Sequence, residues 1–296
     1  MFKIAWSEYK DIMKDIERVL EGIKKLPPFP LVAIKVAHMA TDENVSMHEI
    51  AEIIKYDPAI TANVLRWCNS PYFGLRRKVT SLKEALVYLG GKHLLKVIML
   101  SSCSTYLKRP VIGYKLEGGE LWRHSVACAI MSQILAKKLK EDDAVVFTGG
   151  LLHDIGKLVL SEFVKEAFDE IIRMVRGGYD FLTAEKKIIG MDHAELGGKI
   201  GKKWEFPEEI IKIIAYHHQP EEINDVYVSI VHLADVSVLM LGIGAGADGL
   251  AYQGKKEAYE LLGLEESDLM VCMTELWTEL GKVEEILRLK GNSHGI

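Results

Sequence analysis

The sequence predicts an all-α protein, and three observations support this prediction. Apolar residues recur at intervals of three and four positions, and helix-start signals occur repeatedly along the chain. No segment shows the sustained alternation of polar and apolar residues that is typical of a strand. The 296 residues are 49% hydrophobic and 27% charged, as in an ordinary globular protein. We therefore expect a multi-helix bundle.

Prolines and capping residues predict the helices of the first hundred residues. An amphipathic helix carries its apolar face on Met13, Ile16, Leu20 and Ile23, and Pro27-Pro28 should end it. Three further starts are expected at the capping box Ser46–Glu49, the pair Asp57-Pro58 and the capping box Ser81–Glu84. Gly90-Gly91 is expected to end the helix that Ser81 begins.

Two irregular stretches suggest how the chain is divided. Residues 109–119 begin with two residues that favour a loop and end with two glycines, and Gly242–Gly249 is rich in glycine. Between them, Pro207 followed by two glutamates predicts another helix start. These breaks predict an N-terminal helical lobe over 1–115, a histidine-rich lobe over 116–241 and a final pair of amphipathic helices within 242–296.

Charge and hydropathy limit the partners and the location that we expect. The formal net charge is −5 and no basic block stands out, so no nucleic-acid polymer is expected as a ligand. The N-terminus lacks the apolar core of a signal peptide. The most apolar stretch, Val236–Ala247, is shorter than the ~20 residues that span a bilayer. We therefore expect a cytoplasmic protein that does not bind a membrane, with its four cysteines reduced.

The histidines between residues 124 and 218 carry the strongest functional signal. Together with two aspartates they follow the order His, His-Asp, His, His-His, Asp, and each lies among the apolar residues of a predicted helix. The set is His124, His153, Asp154, His193, His217, His218 and Asp235. A single histidine on a helix is usually a hydrogen-bonded core or surface residue, but seven such residues in this arrangement indicate a metal site. Nitrogen and oxygen donors without thiolate favour iron, manganese, cobalt, nickel or zinc over calcium.

Three local predictions accompany this set. His153 and Asp154 are expected on one helix, about 100° apart, where both reach an ion beside the helix. Lys157 could contact a phosphate oxygen as a point charge, or be a solvated lysine. Asp192 could hold the imidazole of His193 in place.

Several motifs resemble a known family. The order of His124, the His153-Asp154 pair and Asp235 is similar to that of the HD phosphohydrolase superfamily. The N-terminal half narrows the resemblance to the HDOD family, the HD-related output domain, over about residues 20–240. The motifs that carry the HDOD resemblance are 26–30 (LPPFP), 56–59 (YDPA), 68–74 (CNSPYFG), 81–90 (SLKEALVYLG), 121–125 (LWRHS) and Trp204 before Pro207. The motifs 216–220 (YHHQP) and 231–235 (VHLAD) are similar to the second metal-binding part of the superfamily.

The resemblance implies a site with two transition-metal ions. Iron or manganese is expected first, with zinc, cobalt or nickel as alternatives. Asp154 would bridge the ions, with His124, His153 and Asp235 on one and His193, His217 and His218 on the other. Glu120, one turn before His124, could join them, since a similar glutamate is found in the HD-GYP phosphodiesterases. The segment after His218 lacks a Gly-Tyr-Pro loop, which argues against cyclic-di-GMP hydrolysis by the HD-GYP route.

The resemblance leaves three functions open. The first is a bacterial signal-transduction module that contacts partner proteins and keeps an intact binuclear metal site. The second is a metal-dependent phosphohydrolase acting on a nucleotide or cyclic nucleotide, with Asp154 and Lys157 as its catalytic residues. The third is a di-iron redox protein. The first is favoured, and the sequence alone does not separate them.

Overall fold

The structure, a computed structural model, describes residues 16–24, 28–42, 58–71, 73–247 and 253–288. The first helices are α1 (16–24), α2 (Leu31–Ala40), α3 (Pro58–Cys68) and α4 (Leu82–Leu107). The middle of the chain forms α5 (Glu120–Leu139), α6 (Asp143–Leu152), α7 (Lys157–Arg176), α8 (Phe181–Ile189), α9 (His193–Lys203) and α10 (Glu208–Tyr216). The last helices are α11 (Val226–Met240), α12 (Lys256–Leu262) and α13 (Glu266–Arg288).

The all-α prediction is confirmed. Within the described ranges the chain forms no β-strand, and an isolated antiparallel bridge between Val111 and Leu116 is the nearest approach to one. Two short 3-10 helices, Ile112–Tyr114 and Pro220–Glu222, complete the regular structure.

Three helices form the centre of the bundle. α5 packs along both α6 and α11, and α11 also contacts α6. α6 is buried from Ala144 to Leu152, and α5 from Val126 to Ala136. Because these segments are buried on every side, they form the interior of the bundle. Any polar side chain that they carry is therefore enclosed by the fold.

The N-terminal capping signals are correct where the structure describes them. Ser81 accepts a hydrogen bond from the Glu84 amide, as a capping box requires. The expected helix end at Gly90-Gly91 is confirmed. Gly90 has φ +71° and ψ 167°, which is not helical, and a second helical segment of α4 starts directly after it and continues to Leu107. Ser46, Glu49 and Asp57 lie outside the described residues.

The stretch 109–119 is packed into the fold. Val111 and Tyr114 are fully buried, and the Tyr114 hydroxyl donates to the carboxylate of Glu185 on α8. At the other end of the proposed N-terminal lobe, Arg18 on α1 pairs with Glu166 on α7 at 3.2 Å. Both contacts join parts of the chain that the division at residue 115 separates, and that division stays a prediction.

An aromatic cluster joins the start of the chain to the region before α10. Phe29 stacks on Trp204 with ring centroids 4.6 Å apart and meets Phe206 edge-on at 5.3 Å. Tyr106 on α4 contacts the rings of Phe29 and Trp204, and its hydroxyl donates a hydrogen bond to the Pro28 carbonyl. Residues nearly 180 positions apart in the chain thus form one packed contact.

The two C-terminal helices form as expected and pack on the bundle. α12 contacts α11, and α13 contacts α5. On α13, Leu276, Leu280 and Val283 are buried, whereas Met270 is 62% exposed.

Two stretches, Leu82–Leu107 and Asp143–Arg176, are long and apolar enough to cross a membrane by length and composition alone. In the fold, 61% and 94% of their most apolar windows are covered by other parts of the protein. Core helices of soluble proteins have the same character, so these stretches are weak indications of a membrane span.

Candidate metal centre

The fold brings all seven predicted donors together where five elements meet. α5, the turn between α6 and α7, the start of α9, the end of α10 and the middle of α11 each contribute. Every donor residue is at least 94% buried, and the set is His124, His153, Asp154, His193, His217, His218 and Asp235. Seven polar side chains enclosed in a helical core require a polar or charged partner to offset their lost hydration.

His153 and Asp154 do not lie side by side on a helix as expected. α6 ends at Leu152, His153 is its C-cap, and Asp154 begins a turn that leads into α7. This turn requires Gly156, because a Cβ atom there would overlap the carbonyl oxygen of His193. The close contact presses the turn onto the start of α9 and brings the two halves of the centre together.

The first group of donors comprises His124, Cys128, His153 and Asp235, whose ligand atoms all lie within 4.8 Å of one another. His124 Nε2 is 3.1 Å from Asp235 Oδ1 and 3.3 Å from His153 Nε2. We call this group the first cluster.

The second cluster comprises Asp154, His193, His217 and His218, again with all ligand atoms within 4.8 Å. Asp154 also faces the first cluster. Its Oδ2 is 3.5 Å from His124 Nε2 and 3.4 Å from His153 Nε2, while its Oδ1 is 3.5 Å from His193 Nε2. A single carboxylate therefore lies between the two clusters, at the position of a bridging ligand.

Hydrogen bonds at the outer ring nitrogens orient four of the imidazoles. His124, His153 and His217 donate from Nδ1 to backbone carbonyls at 3.0, 2.8 and 2.8 Å, and His193 donates from Nδ1 to Glu185 at 2.8 Å. Carbonyl and carboxylate oxygens only accept, so each Nδ1 carries a proton. When a bound cation displaces any proton on Nε2, the lone pair of that nitrogen points into the centre, as in metal-binding histidines.

The electrostatics of the centre favour added positive charge. Burial alone would lower the pKa of His153, but Asp154 and Asp235 outweigh it and raise the pKa to about 10. Burial and the neighbouring His153 hold the pKa of His217 well below its ordinary value, so that ring stays neutral. A bound divalent cation would take the place of protons that the carboxylates otherwise attract.

Unsatisfied atoms show that the donors fit a metal ion. Neither oxygen of Asp154 accepts a hydrogen bond from the described part of the chain, although Lys157 Nζ forms an ion pair with Oδ2 at 2.9 Å. His217 Nε2 likewise has no hydrogen-bond partner among the described residues. Transition-metal ions bind imidazole nitrogen and carboxylate oxygen at ~2.0–2.2 Å. Donors 3–4 Å apart around a common point suit that distance.

A family model, the HDOD domain, matches residues 26–220. The chain belongs to the HDOD domain family. This confirms the resemblance inferred from the motifs. The HDOD fold is also found in a crystal structure of an HDOD domain protein of unknown function from Geobacter sulfurreducens. That protein is 22% identical, with a TM-score of 0.75 over 94% of this chain and 98% of the other.

Curated relatives of this HDOD protein are longer than the chain. An uncharacterized protein from Treponema pallidum is 22% identical over 238 residues, which are 75% of this chain and 44% of the relative. Ribonuclease Y from Thermus thermophilus is 28% identical over 148 residues, which are 50% of this chain and 21% of the enzyme. The chain thus spans less than half the length of these relatives.

The HDOD fold keeps Glu120 out of the centre. Its side chain is exposed at the start of α5 and accepts a hydrogen bond from the Glu117 amide at 2.5 Å. The prediction that Glu120 joins the ligands is therefore not supported by its position. The first-turn carboxylate instead satisfies a free backbone amide near the helix N-terminus.

Lys157 lies inside the centre and is not a solvated lysine. It is 4% exposed, and its Nζ is 5.3 Å from the centroid of the Tyr114 ring as well as paired with Asp154. Burial alone would raise the pKa of Asp154, but Lys157 and His153 outweigh it and hold that pKa well below its ordinary value. Asp154 is therefore a carboxylate, ready to bind a cation.

Asp192 does not orient His193, as had been expected. Its side chain caps α9 by accepting from the Glu195 amide at 2.8 Å. Glu185 takes the expected role, because its Oε2 accepts from both the ring and the backbone amide of His193. No motif in the sequence marks Glu185, which lies beside two lysines and resembles a surface residue.

Cys128 is the second residue that the sequence analysis missed. It follows His124 by four positions on α5, so both side chains lie on the same face. Its thiol lies 3.5 Å from His124 Nε2. The four-residue spacing from His124 is a sequence signal for Cys128, whereas its apolar neighbours alone indicate only a buried thiol.

A cavity of about 390 Å³ reaches the second cluster. Its wall includes His218 together with the polar side chains of Thr183, Gln219 and Lys255. His218 is the most exposed of the donors at 6%. A small polar ligand would reach the centre from this side.

Proposed function

We propose that this HDOD protein is a bacterial signal-transduction module built around an intact centre for two transition-metal ions. The observation that carries the proposal is Asp154, whose two oxygens face different clusters without accepting a hydrogen bond. Lys157 offsets part of the charge of this buried carboxylate, and a cation on each side would offset the rest and bind the oxygens that lack a hydrogen-bond donor.

The donors would form two sets, one for each ion. One ion would be held by His124, His153 and Asp235, and the other by His193, His217 and His218. Asp154 would contact both ions. Lys157 keeps Asp154 ionised and adds a positive charge beside it. Signalling partner proteins would sense the metal-loaded form, because the centre joins five elements of the bundle.

A second candidate function is hydrolysis of a phosphoester, such as a nucleotide or cyclic nucleotide. The cavity that ends at His218 favours it, since a signalling module needs no opening to its ions. The partial match to ribonuclease Y is consistent with this chemistry. Two bound ions would supply the Lewis acidity that the reaction requires. Lys157, which pairs with Asp154, would add positive charge for a phosphate oxygen.

Elemental analysis of the protein as purified tests the metal centre. We expect about two transition-metal ions per chain in the wild type, and their loss in His153→Ala/Asp154→Ala. His93→Ala is the matched control, because His93 lies on α4 outside both clusters. It should keep the wild-type metal content. A wild type that holds no metal, and takes up none on reconstitution, contradicts the proposal.

Activity assays then separate the candidates. Metal-dependent phosphate release from nucleotides, cyclic nucleotides or short RNA, lost in Asp154→Ala, would establish hydrolysis. Oxygen consumption by the iron-loaded protein would instead support the redox alternative. A metal-loaded protein that is inert in both assays supports the signalling module.

A further inference from the structure

Cys128 lies against the first cluster as closely as the histidines do. The residue is fully buried, and its Sγ is 3.5 Å from His124 Nε2 and 3.9 Å from Asp235 Oδ1. Both partners are themselves at least 98% buried and face the centre. Since the Nδ1 of His124 carries a proton and donates it to a carbonyl, the Nε2 atom is the ring nitrogen that faces the sulfur.

The separations from His124 to the other three donors of the first cluster are close to the edges of a tetrahedron around a single ion. With metal–nitrogen bonds of ~2.05 Å and metal–sulfur bonds of ~2.3 Å, tetrahedral edges are about 3.3 Å for N–N and about 3.6 Å for N–S. The structure has 3.3 Å between the Nε2 atoms of His124 and His153, and 3.5 Å between His124 Nε2 and the sulfur. Asp235 Oδ1 is 3.1 and 3.7 Å from the two nitrogens.

We propose that Cys128 is a thiolate ligand of the ion held by His124, His153 and Asp235. The proposal rests on the metal centre described above, and adds to the first cluster the sulfur donor that the described residues place there. On binding, the S–H bond breaks, its proton passes to solvent, and a bond forms between Sγ and the ion, which stays divalent.

A sulfur donor makes the two clusters chemically different. The second cluster has three imidazoles and the Asp154 carboxylate, whereas the first has two imidazoles, the Asp235 carboxylate and a soft thiolate. Thiolate favours zinc, cobalt or iron over manganese or magnesium. Together with Asp154, which faces both clusters, the first ion would have five protein donors against four for the second. The ion that exchanges ligands with the solvent is then the second one, which adjoins the cavity at His218.

Reconstitution with cobalt(II) tests this inference by spectroscopy. A cobalt ion bound to thiolate gives a charge-transfer absorption in the near ultraviolet that nitrogen and oxygen ligands do not give. We expect this band in the wild type and its loss in Cys128→Ser. The matched control is Cys103→Ser, which removes another fully buried thiol that belongs to neither cluster. It should keep the band.

Cobalt content, measured on the same samples, separates the possible failures. If the wild type binds cobalt without the thiolate band, the ligand role of Cys128 is refuted while the metal centre stands. If it binds no cobalt, the metal centre and the role of Cys128 both fail. If Cys128→Ser does not fold, the comparison of the wild type with Cys103→Ser still decides the question. Loss of the band in Cys103→Ser would assign the thiolate ligand to Cys103 and refute the role of Cys128.

Discussion

Glu185 differs from the other groups that hold the ligand imidazoles, because it is charged. Backbone carbonyls hold His124, His153 and His217, whereas the Glu185 carboxylate holds His193. Burial alone would lower the pKa of His193, but Glu185 outweighs it and raises the pKa. A charged acceptor strengthens the donor power of the opposite ring nitrogen. Glu185 thus acts on the second cluster through His193.

Replacing Glu185 by glutamine should weaken metal binding by the second cluster. Glutamine keeps the size and an accepting oxygen but removes the charge, and loss of such an outer partner typically lowers metal affinity roughly 10–100-fold. Competition with a chromophoric chelator would measure the change. Glu195→Gln is the matched control, because Glu195 is partly exposed on α9 and pairs only with surface lysines among the described contacts. Equal affinities for both variants would contradict the assigned role.

Gly244 supports His124 from outside the ligand shell. It adopts φ +66°, and a Cβ atom there would lie 2.5 Å from the Cβ of His124, whose ring donates to the adjacent Ile243 carbonyl. The backbone of the glycine-rich stretch after α11 therefore packs directly against a ligand of the metal centre.

Gly244→Ala should destabilise the protein more than a glycine replacement that costs conformation alone. Gly263→Ala is the control, since Gly263 has φ +61° with nothing within 4 Å of the added Cβ. We expect roughly 1–2 kcal/mol from the left-handed backbone in both variants. Gly244→Ala should lose roughly 1–3 kcal/mol more from overpacking. Urea denaturation of the two variants measures the difference, and equal losses would mean that the contact with His124 is easily relieved.

Helix α6 connects a buried ion pair to the metal centre. Its first residue, Asp143, pairs with Lys96 on α4 at 2.6 Å, with only 18% and 6% of the side chains exposed. Its last turn leads directly into His153 and Asp154. The helix is ten residues long and buried throughout its length beyond Asp143, so its position sets the position of both ligands.

Asp143→Asn should be strongly destabilising, because it leaves the Lys96 ammonium buried without a counter-charge. Breaking a buried pair in this way costs roughly 3–5 kcal/mol. Asp142→Asn is the control. Asp142 pairs with the exposed Lys92 and caps α6, and asparagine is an equally good cap, so less than about 1 kcal/mol should be lost. Thermal unfolding of both variants compares the two pairs, and similar losses would show that the Lys96 pair is hydrated.

For the molecule as a whole, metal binding should raise the stability of the bundle. An ion that binds only the folded chain adds about 2.7 kcal/mol at a concentration 100 times its dissociation constant. At roughly 2–4 °C per kcal/mol, Tm should rise by roughly 5–10 °C. Calorimetry before and after chelation measures the shift. His153→Ala/Asp154→Ala should show no shift, and a shift in that variant would place the binding elsewhere.

The sequence predicts the helices better than it predicts what joins them. Capping at Ser81 and the start of α10 at Pro207 are local signals, and both hold in the structure. Gly90 ends the first segment of α4 as its pattern predicts, but no signal in the sequence predicts that a second, largely buried segment follows directly and runs to Leu107. Phe29 and Trp204 were recognised only as parts of separate motifs, because pattern reasoning carries no information about contacts between distant segments.

The same limit applies to the centre. The seven donors were found because residue type and order mark them, and the structure brings them together. Three other predictions depended on local geometry: the helical placement of His153 and Asp154, the role of Asp192 and the inclusion of Glu120. In the structure, the packing of the turn and the helix caps places these residues differently from those predictions. Glu185 comes from an element that carries no signal of its own.

The enclosed donors also bear on the history of the chain. Without an ion, an enclosed donor such as His217, whose Nε2 has no hydrogen-bond partner among the described residues, costs stability, and an apolar side chain of similar size in its place would recover some of it. In a lineage with no use for the ion, mutation would therefore erode such a set quickly, one stabilising change at a time. A chain that carries every member of both clusters is what we expect of a lineage in which the ion is still used.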